Sequence, residues 1–458
     1  MSIGTLYFSP MIEQSLPNKK KVHRAWAMYD WANSAYNLVI TSTIFPIYYI
    51  SITRNEATAD KVSFFGLNVV NSSLLNYALA FAYLVIAVLS PILSSMADSK
   101  GNKKRYMQFF TLTGSMACMG LYFFTGQRIE LGILLSVVAA IGYCGSLVFY
   151  NAYLPEIAIK EEQDQLSAKG FAYGYIGCVL LQLICLVFVF QYKDWFGQTE
   201  DWGPRISFFL VGLWWIGWSI IPFTVLPKPA IPAISGTKAK SVVRGSFSAL
   251  KKVSKQVQTM PKLKIYLAAF FFYSMGVQTV MLAAAIFGSK EVKKMVDGEW
   301  VNMGAQDLIP AILLIQLVAI LGAMLMARLS ARIGNFKVLM LNVFIWIVIC
   351  CLAYYTRTNY EFYGIATLVG VVMGGIQSLS RSTYAKLIPK DTMDNTSYFS
   401  FYDVMEKLSI VLGMFSFGFI EQVTGNMRNA ILALISFFVI GFVLLILTNR
   451  APLQRRKA

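Results

Sequence analysis

The feature of this sequence that most constrains its fold is a series of apolar stretches without a single charge. Leu74 to Leu93, Leu131 to Tyr150, Phe208 to Leu226 and Ala430 to Leu447 contain no charged residue. Each approaches the ~20 residues that a helix needs to cross the hydrocarbon of a bilayer. Charged residues make up only 14% of the 458, well below the roughly 25% of soluble domains. The chain is therefore expected to be an integral membrane protein.

Turn residues and charge clusters divide the chain into twelve predicted membrane helices, numbered here span one to span twelve. They are expected near residues 25–50, 74–96, 106–126, 130–153, 170–191 and 205–226, and then near 264–288, 307–327, 337–356, 361–384, 399–424 and 428–448. The predicted organisation is an N-terminal segment at 1–24, six-helix bundles at 25–226 and 264–448, a linker at 227–263 and a basic tail at 449–458.

The net charge of +17 does not indicate a nucleic-acid partner, because the basic residues alternate with apolar spans. With both termini in the cytoplasm, 29 of the 40 Lys and Arg, Arg381 among them, fall in inside segments and 10 in outside loops. This bias predicts cytoplasmic termini and a location in the inner membrane of the cell. The basic linker fits either an amphipathic helix on the membrane surface or a solvated connection.

An internal repeat indicates that the two bundles are homologous. Gly334 lies 233 positions after Gly101, and each follows the second span of its half. Pro389 lies 234 positions after Pro155, and each ends a segment that starts with Tyr. We predict that the halves superpose about an axis along the membrane normal, with Gly101 on Gly334.

Twelve spans in two parallel halves, a long basic middle loop and the turn Ser94-Ser-Met-Ala-Asp98-Ser-Lys-Gly101-Asn-Lys-Lys-Arg105 resemble the major facilitator superfamily. Three stretches are similar to the group related to the vacuolar effluxer of autophagy, which has many bacterial members. They are Trp26 to Tyr36, Tyr150 to Glu156 with its continuation Ser167 to Tyr175, and Gly375 to Ser382.

The resemblance implies an all-α integral membrane fold of two homologous six-helix bundles. It implies secondary transport by alternating access, with amino-acid efflux as the activity. It also implies that Asp98 and the basic residues up to Arg105, on either side of Gly101, latch the cytoplasmic ends of the halves in one conformation. Plain positive-inside charge explains the basic residues equally well, but it does not explain Asp98.

Span one carries a polar stripe that cannot face lipid cheaply. Its members are Asp30, Asn33, Ser34, Asn37 and Thr41. We interpret Asn33 and Asn37 as solute-binding residues of a central cavity with Asp30 at its inner mouth, and the alternative is a network of hydrogen bonds between helices. Gln278 and Gln377, each inside a span, are further candidates for binding the solute or for packing.

Span eleven carries Asp403, Glu406 and Lys407 on one face. Each charge would cost ~2.5–3.5 kcal/mol at the membrane centre, so the three form a gate or proton site, or snorkel to the interface. Asp403, one turn before Lys407, is expected to be its permanent partner. Glu406, about 100° around the helix from Lys407, is expected to change protonation during transport, as is Asp30.

The sequence shows no Walker A pattern or dinucleotide fingerprint, and His23 is its only histidine. We therefore predict no catalytic residue, no cofactor and no metal site. The expected partners are a small polar solute, protons as the candidate coupling ion, and membrane lipids around a monomer. A non-transporting scaffold or sensor is the main alternative, ahead of a membrane-embedded lipid enzyme, which would need a denser set of catalytic side chains.

Overall fold

The computed structural model describes residues 18–53, 61–227, 251, 253–389, 394–424 and 426–451, and twelve long helical segments lie within them. Span one consists of Lys19–Ala35, a π-helical segment Tyr36–Ser42 and Ile44–Thr53. The other spans of the first half are Asn71–Lys100, Lys103–Gly120, Ile129–Asn151, Gln163–Phe190 and Trp202–Val225, with a short helix at Leu154–Ile157. Those of the second half are Pro261–Glu291, Ala305–Ile333, Asn335–Tyr355, Asn359–Leu387, Asn395–Thr424 and Met427–Arg450.

The helices agree with the predicted all-α membrane fold. Ten are long and apolar enough to cross a membrane by length and composition alone. The other two, spans three and eleven, carry the charges of Lys103 to Arg105 and of Asp403 to Lys407. The largest disagreement in a boundary is at span five, which begins at Gln163 rather than near residue 170. Its polar first turn is buried against protein, and hydropathy cannot show this.

The two halves meet along a few helix pairs. Span two packs against span eleven, and span five packs against spans eight and ten. Gly101 ends span two with φ 59° and Gly334 ends span eight with φ 90°. Residues that have a side chain rarely adopt a positive φ, so both turns of the sequence repeat require glycine.

Two β-hairpins that were not predicted follow spans one and seven. β1 (Lys61–Phe64) pairs with β2 (Leu67–Val70), and β3 (Lys293–Val296) pairs with β4 (Glu299–Asn302). Both turns have two residues with positive φ, as a type I′ turn requires. β3 begins 232 positions after β1, so the hairpins belong to the same internal repeat.

The last part of the linker is a helix that packs on the protein. Residues 253–259 are helical, and Val253 and Val257 are buried against the bundle. The Tyr398 hydroxyl donates to Gln256 Oε1 at 3.1 Å. Protein therefore covers the apolar face of these residues, and the expected place of the linker, on the membrane surface or in solvent, stays a prediction. Residues 1–17, 228–250, 252 and 452–458 lie outside the described residues.

Candidate functional site

Polar contacts between the two halves are concentrated at one end of the bundle. We call this end, where span one begins and span twelve ends, the terminal face. At the opposite end, the ion pairs of Lys290 with Glu421 and of Arg428 with Glu291 join helices within the second half. The halves are thus tied together at the terminal face.

The central tie is a buried ion pair between Asp30 of span one and Arg381 of span ten. The Nη1 and Nη2 atoms of Arg381 lie 3.1 and 3.2 Å from Asp30 Oδ2. The Tyr150 hydroxyl donates to the same oxygen at 2.8 Å. Arg381 also donates to the hydroxyl and the carbonyl of Ser167, both at 2.9 Å. With a further contact to Asn151 Oδ1 at 3.4 Å, the guanidinium of the second half is bound by spans one, four and five of the first.

Aromatic rings enclose the guanidinium. Its Cζ atom lies 4.3 Å from the ring centroid of Phe171 and 4.7 Å from that of Trp26, distances at which a cation is attracted to a ring face. Trp26 stacks on Tyr150 with centroids 4.5 Å apart. Span one, spans four and five, and span ten meet here, so the three stretches that carry the family resemblance form one site.

Arg381 is the functional residue that sequence reasoning missed. It was counted with the inside loops, and this was wrong, because its side chain is only 4% exposed and lies within span ten. The available signal was an arginine inside an otherwise uncharged stretch of small and apolar residues, Gly375 to Ser382. The sequence pattern of span one could not show that Asp30 pairs with Arg381, because 351 positions separate the two residues.

Two further sets of hydrogen bonds between the halves, which we call joints, flank this pair at the terminal face. In the first, Asp98 accepts hydrogen bonds from the Ser397 amide and hydroxyl, both at 2.7 Å, at the start of span eleven. In the second, Asp164 at the start of span five accepts from Lys386 Nζ at 2.6 Å and Asn335 Nδ2 at 2.7 Å. Ser397 lies 233 positions after Asp164, so the two joints are related by the internal repeat. In the first joint the carboxylate is at the end of span two, and in the second it is at the start of span five.

The other residues expected at this latch have different positions. Gly101 ends span two three residues after Asp98. Lys103 forms an ion pair with Glu156 of the first half and lies over the Tyr153 ring at 4.0 Å. Arg105 is exposed. The terminal face is therefore tied through Asp98, Asp164 and the Asp30–Arg381 pair, which we together call the terminal latch.

A row of polar side chains lies on the inner side of this latch. Gln377 is one helical turn before Arg381, and its Oε1 accepts from the Tyr175 hydroxyl at 2.8 Å. Its amide nitrogen lies 3.6 Å from Met281 Sδ of span seven. One turn before Met281, Gln278 Nε2 lies 3.4 Å from Glu406 Oε1 of span eleven. We call Tyr175, Gln377, Gln278 and Glu406, with Lys407, the polar band.

The charges of span eleven face protein. Asp403 and Lys407 are each 5% exposed, so in this structure neither snorkels to the interface. Lys407 Nζ lies 3.5 Å from Asp403 Oδ1 and 2.9 Å from Glu406 Oε2. The long lysine stem thus reaches both carboxylates, although Glu406 lies about 100° around the helix from Lys407, and the expected change of protonation at Glu406 stays a prediction.

Asn33 and Asn37 lie at the change from α-helix to π-helix in span one. Asn33 is buried, and its Nδ2 has no hydrogen-bond partner among the described residues. Asn37 is half-buried and belongs to the π-helical segment, so the α-helical stripe stops at Ala35. Such segments occur frequently at functional sites.

Two six-helix halves that are tied at one end and enclose buried polar groups define a membrane transporter of the major facilitator superfamily. Solved structures share this fold. FucP, a transporter of this superfamily in an outward conformation, matches 94% of this chain and 98% of its own with a TM-score of 0.66 at 14% identity. XylE, a proton:xylose symporter, matches 96% of both chains with a TM-score of 0.70 at 9% identity.

Sequence comparison narrows the assignment. The family model described as vacuole effluxer Atg22 like matches residues 18–456, and the chain belongs to this family. A Bacillus subtilis protein, the MFS-type transporter YxiO, is 30% identical over 93% of this chain and 94% of its own length. Autophagy-related protein 22 of Coccidioides immitis is 22% identical over 96% of this chain and 88% of its own.

Proposed function

We propose that this protein is a secondary active transporter that moves a small polar solute, with amino-acid efflux as its activity. The observation that carries the proposal is the buried Asp30–Arg381 pair, which ties the halves together one helical turn from Gln377 of the polar band. A tie between halves beside buried polar groups is what alternating access around a central site requires. The description of the family as effluxers supports the direction.

The polar band suits the chemistry of an amino acid. Glu406 and Lys407 offer one charge of each sign, which matches the ammonium and carboxylate groups of the solute. Gln278 and Gln377 can each donate and accept a hydrogen bond, and Asn33 and Asn37 are candidates to extend this set. With the terminal latch closed, the solute reaches the band from the opposite face. Rocking of the halves then opens the latch and releases the solute on the other side.

Counterflow in proteoliposomes tests the proposal. Vesicles containing the purified chain and loaded with an unlabelled amino acid should take up the same labelled amino acid faster than protein-free vesicles. A Gln377→Leu variant should exchange more slowly, because it removes polar groups that face the solute. Absence of exchange across a panel of amino acids and other small polar solutes would favour a scaffold or sensor.

The proposed orientation places both termini and the linker in the cytoplasm and the chain, as a monomer, in the inner membrane of a bacterial cell. The excess of Lys and Arg, 28 against 10 once Arg381 of span ten is left out, supports it. Reporter fusions at Gly236 and Ala458 should both show the cytoplasmic signal. An external signal at either position would contradict the twelve-span topology.

Asp98→Asn should favour the state that is open at the terminal face. The neutral amide keeps one acceptor for the Ser397 amide but loses the charge that interacts with the start of a helix, an interaction of roughly 0.3–1 kcal/mol. Labelling of a cysteine placed at Ser397 from the terminal side should therefore be faster by a few-fold, with normal membrane insertion. Unchanged labelling and transport would reduce this joint to packing.

A further inference from the structure

The charged side chains between the halves are not equal in number. Asp30 and Arg381 neutralise each other. Span eleven, in contrast, brings two carboxylates, the buried Asp403 and the partly exposed Glu406, to the single buried ammonium of Lys407. With both carboxylates ionised, this cluster has one more negative charge than its ammonium balances.

Neighbouring helices supply no positive charge to this cluster in the part of the chain that the structure describes. Span two presents the Tyr83 ring, 5.7 Å from Lys407 Nζ. Span four presents the thiol of Cys144, and span seven presents the amide of Gln278. These groups are neutral or can only become negative. Among these residues the cluster therefore has room for one further positive charge.

Buried oxygen atoms of both halves lie together at this cluster. The Ser90 hydroxyl of span two is a hydrogen-bonding neighbour of the Asp403 carboxyl, and neither this hydroxyl nor Asp403 Oδ2 makes a short hydrogen bond among the described residues. Both residues are at least nine-tenths buried. The Ser94 hydroxyl, one turn further along span two, is likewise buried without a partner in the described residues.

The packing of spans two and eleven places Asp403 at a depth between those of Ser94 and Ser90. The helices run in opposite directions, and Asp98 meets Ser397. Asp403 is six residues beyond that contact on its helix, and Ser90 and Ser94 lie eight and four residues before it on theirs. Between the two serines, Pro91 has no N–H to donate to the carbonyl of Ala87, which adds a further acceptor on this helix.

We propose that Asp403, with Ser90 and Ser94 of span two, binds the coupling cation of the transport cycle, a sodium ion or a proton. Carboxylate, hydroxyl and carbonyl oxygens are the ligands that hard cations prefer, and a proton on Asp403 can be shared with Ser90. The site joins the two halves, so a cation bound there stabilises the packing of span two on span eleven. This inference rests on the proposed transport function and assigns its coupling site.

Thermal unfolding of the purified full-length chain in detergent tests the site without any knowledge of the solute. If the cation is sodium, NaCl should raise the melting temperature above that in choline chloride at the same ionic strength. If it is a proton, the melting temperature should rise as the pH falls, independently of sodium. Asp403→Asn should abolish the response, and Ser90→Ala should raise the half-saturating cation concentration by at least about tenfold.

Glu421→Gln is the matched control, because it removes a carboxylate from the same helix at its far end and should keep the full response. A wild-type protein that responds to neither cation, or an Asp403→Asn protein with the wild-type response, would overturn the proposal. If Asp403→Asn does not fold, Ser90→Ala with an unchanged response overturns it. Absent counterflow with an intact cation response would instead count against the transport function.

Discussion

Replacing Arg381 with alanine should shift the protein away from the state that is closed at the terminal face by roughly 100-fold or more. The change leaves the Asp30 carboxylate buried without its counter-charge, and loss of one partner of a buried pair costs about 3–5 kcal/mol. Each ~1.4 kcal/mol changes an equilibrium tenfold. The cost falls on the closed state, because opening of the halves gives the carboxylate access to water.

Cysteine labelling measures this shift. A cysteine at Ser378, which is fully buried beside span five, should react at least tenfold faster with a membrane-impermeant maleimide added from the terminal side. The background carries Cys351→Ser, because Cys351 is the exposed native cysteine. Solute exchange should slow in parallel, because the carrier rarely returns to its closed state.

Removal of both charges separates the pair from general packing. Asp30→Asn combined with Arg381→Gln leaves no unpaired buried charge, so it should recover part of the labelling protection that Arg381→Ala loses. Arg428→Ala, which breaks an ion pair within the second half, should leave the labelling at Ser378 unchanged. A double variant no better protected than Arg381→Ala would mean that the charges are not what holds the terminal face.

Sequence patterns predicted the membrane helices well because a span is a local property. Charge-free windows and punctuating turns predicted each of the twelve helical segments. The largest boundary error, at span five, comes from polar residues such as Gln163 and Asp164 that other helices bury. The π-helical segment of span one was not predictable in this way. It depends on hydroxyls such as that of Thr43, which donates to the Leu38 carbonyl and to Gln182 of span five.

One of the two hairpins has a turn signal in the sequence that would have predicted it. Asp297-Gly298 is a typical dipeptide of a type I′ turn, and its counterpart Phe65-Gly66 lies 232 positions earlier. Phe-Gly is not a typical turn pair, and strands of four residues give almost no periodicity. Comparison of the two halves with each other would have found both.

The site was predicted only in part, because it depends on pairs of residues that are far apart in sequence. Asp98 was expected at a latch, and the structure places it against Ser397 of the other half. Asp403 and Lys407 share a helix, so spacing alone showed their pairing. The partnership of Asp30 with Arg381, and the role of Asp164, needed the fold itself.

Gly170→Ala should disrupt the terminal latch although it adds only one methyl group. A Cβ at this position would lie 2.9 Å from Arg381 Nη2 and 3.1 Å from the Trp26 ring, and closer still to Asp30 Oδ2. Overpacking of this kind costs about 1–3 kcal/mol. Because Arg381 leaves this position when the halves separate, part of the cost is confined to the closed state. We expect a shift toward the open state that is smaller than the roughly 5- to 150-fold which the whole cost would give.

Two other glycines separate this effect from ordinary packing. A Cβ at Gly174 would meet Ser34 and the Asp30 carbonyl of span one, both in the same half, so Gly174→Ala should lower the melting temperature without a change in labelling at Ser378. Gly364 of span ten has no atom within 4 Å of such a Cβ, so Gly364→Ala should behave as wild type. If Gly170→Ala lowers stability as Gly174→Ala does but leaves the labelling unchanged, then the tight packing at Gly170 serves the first half alone. Faster labelling in Gly170→Ala only, with exchange reduced in step, would show that the closed state requires a residue without a side chain at the point where Asp30 meets Arg381.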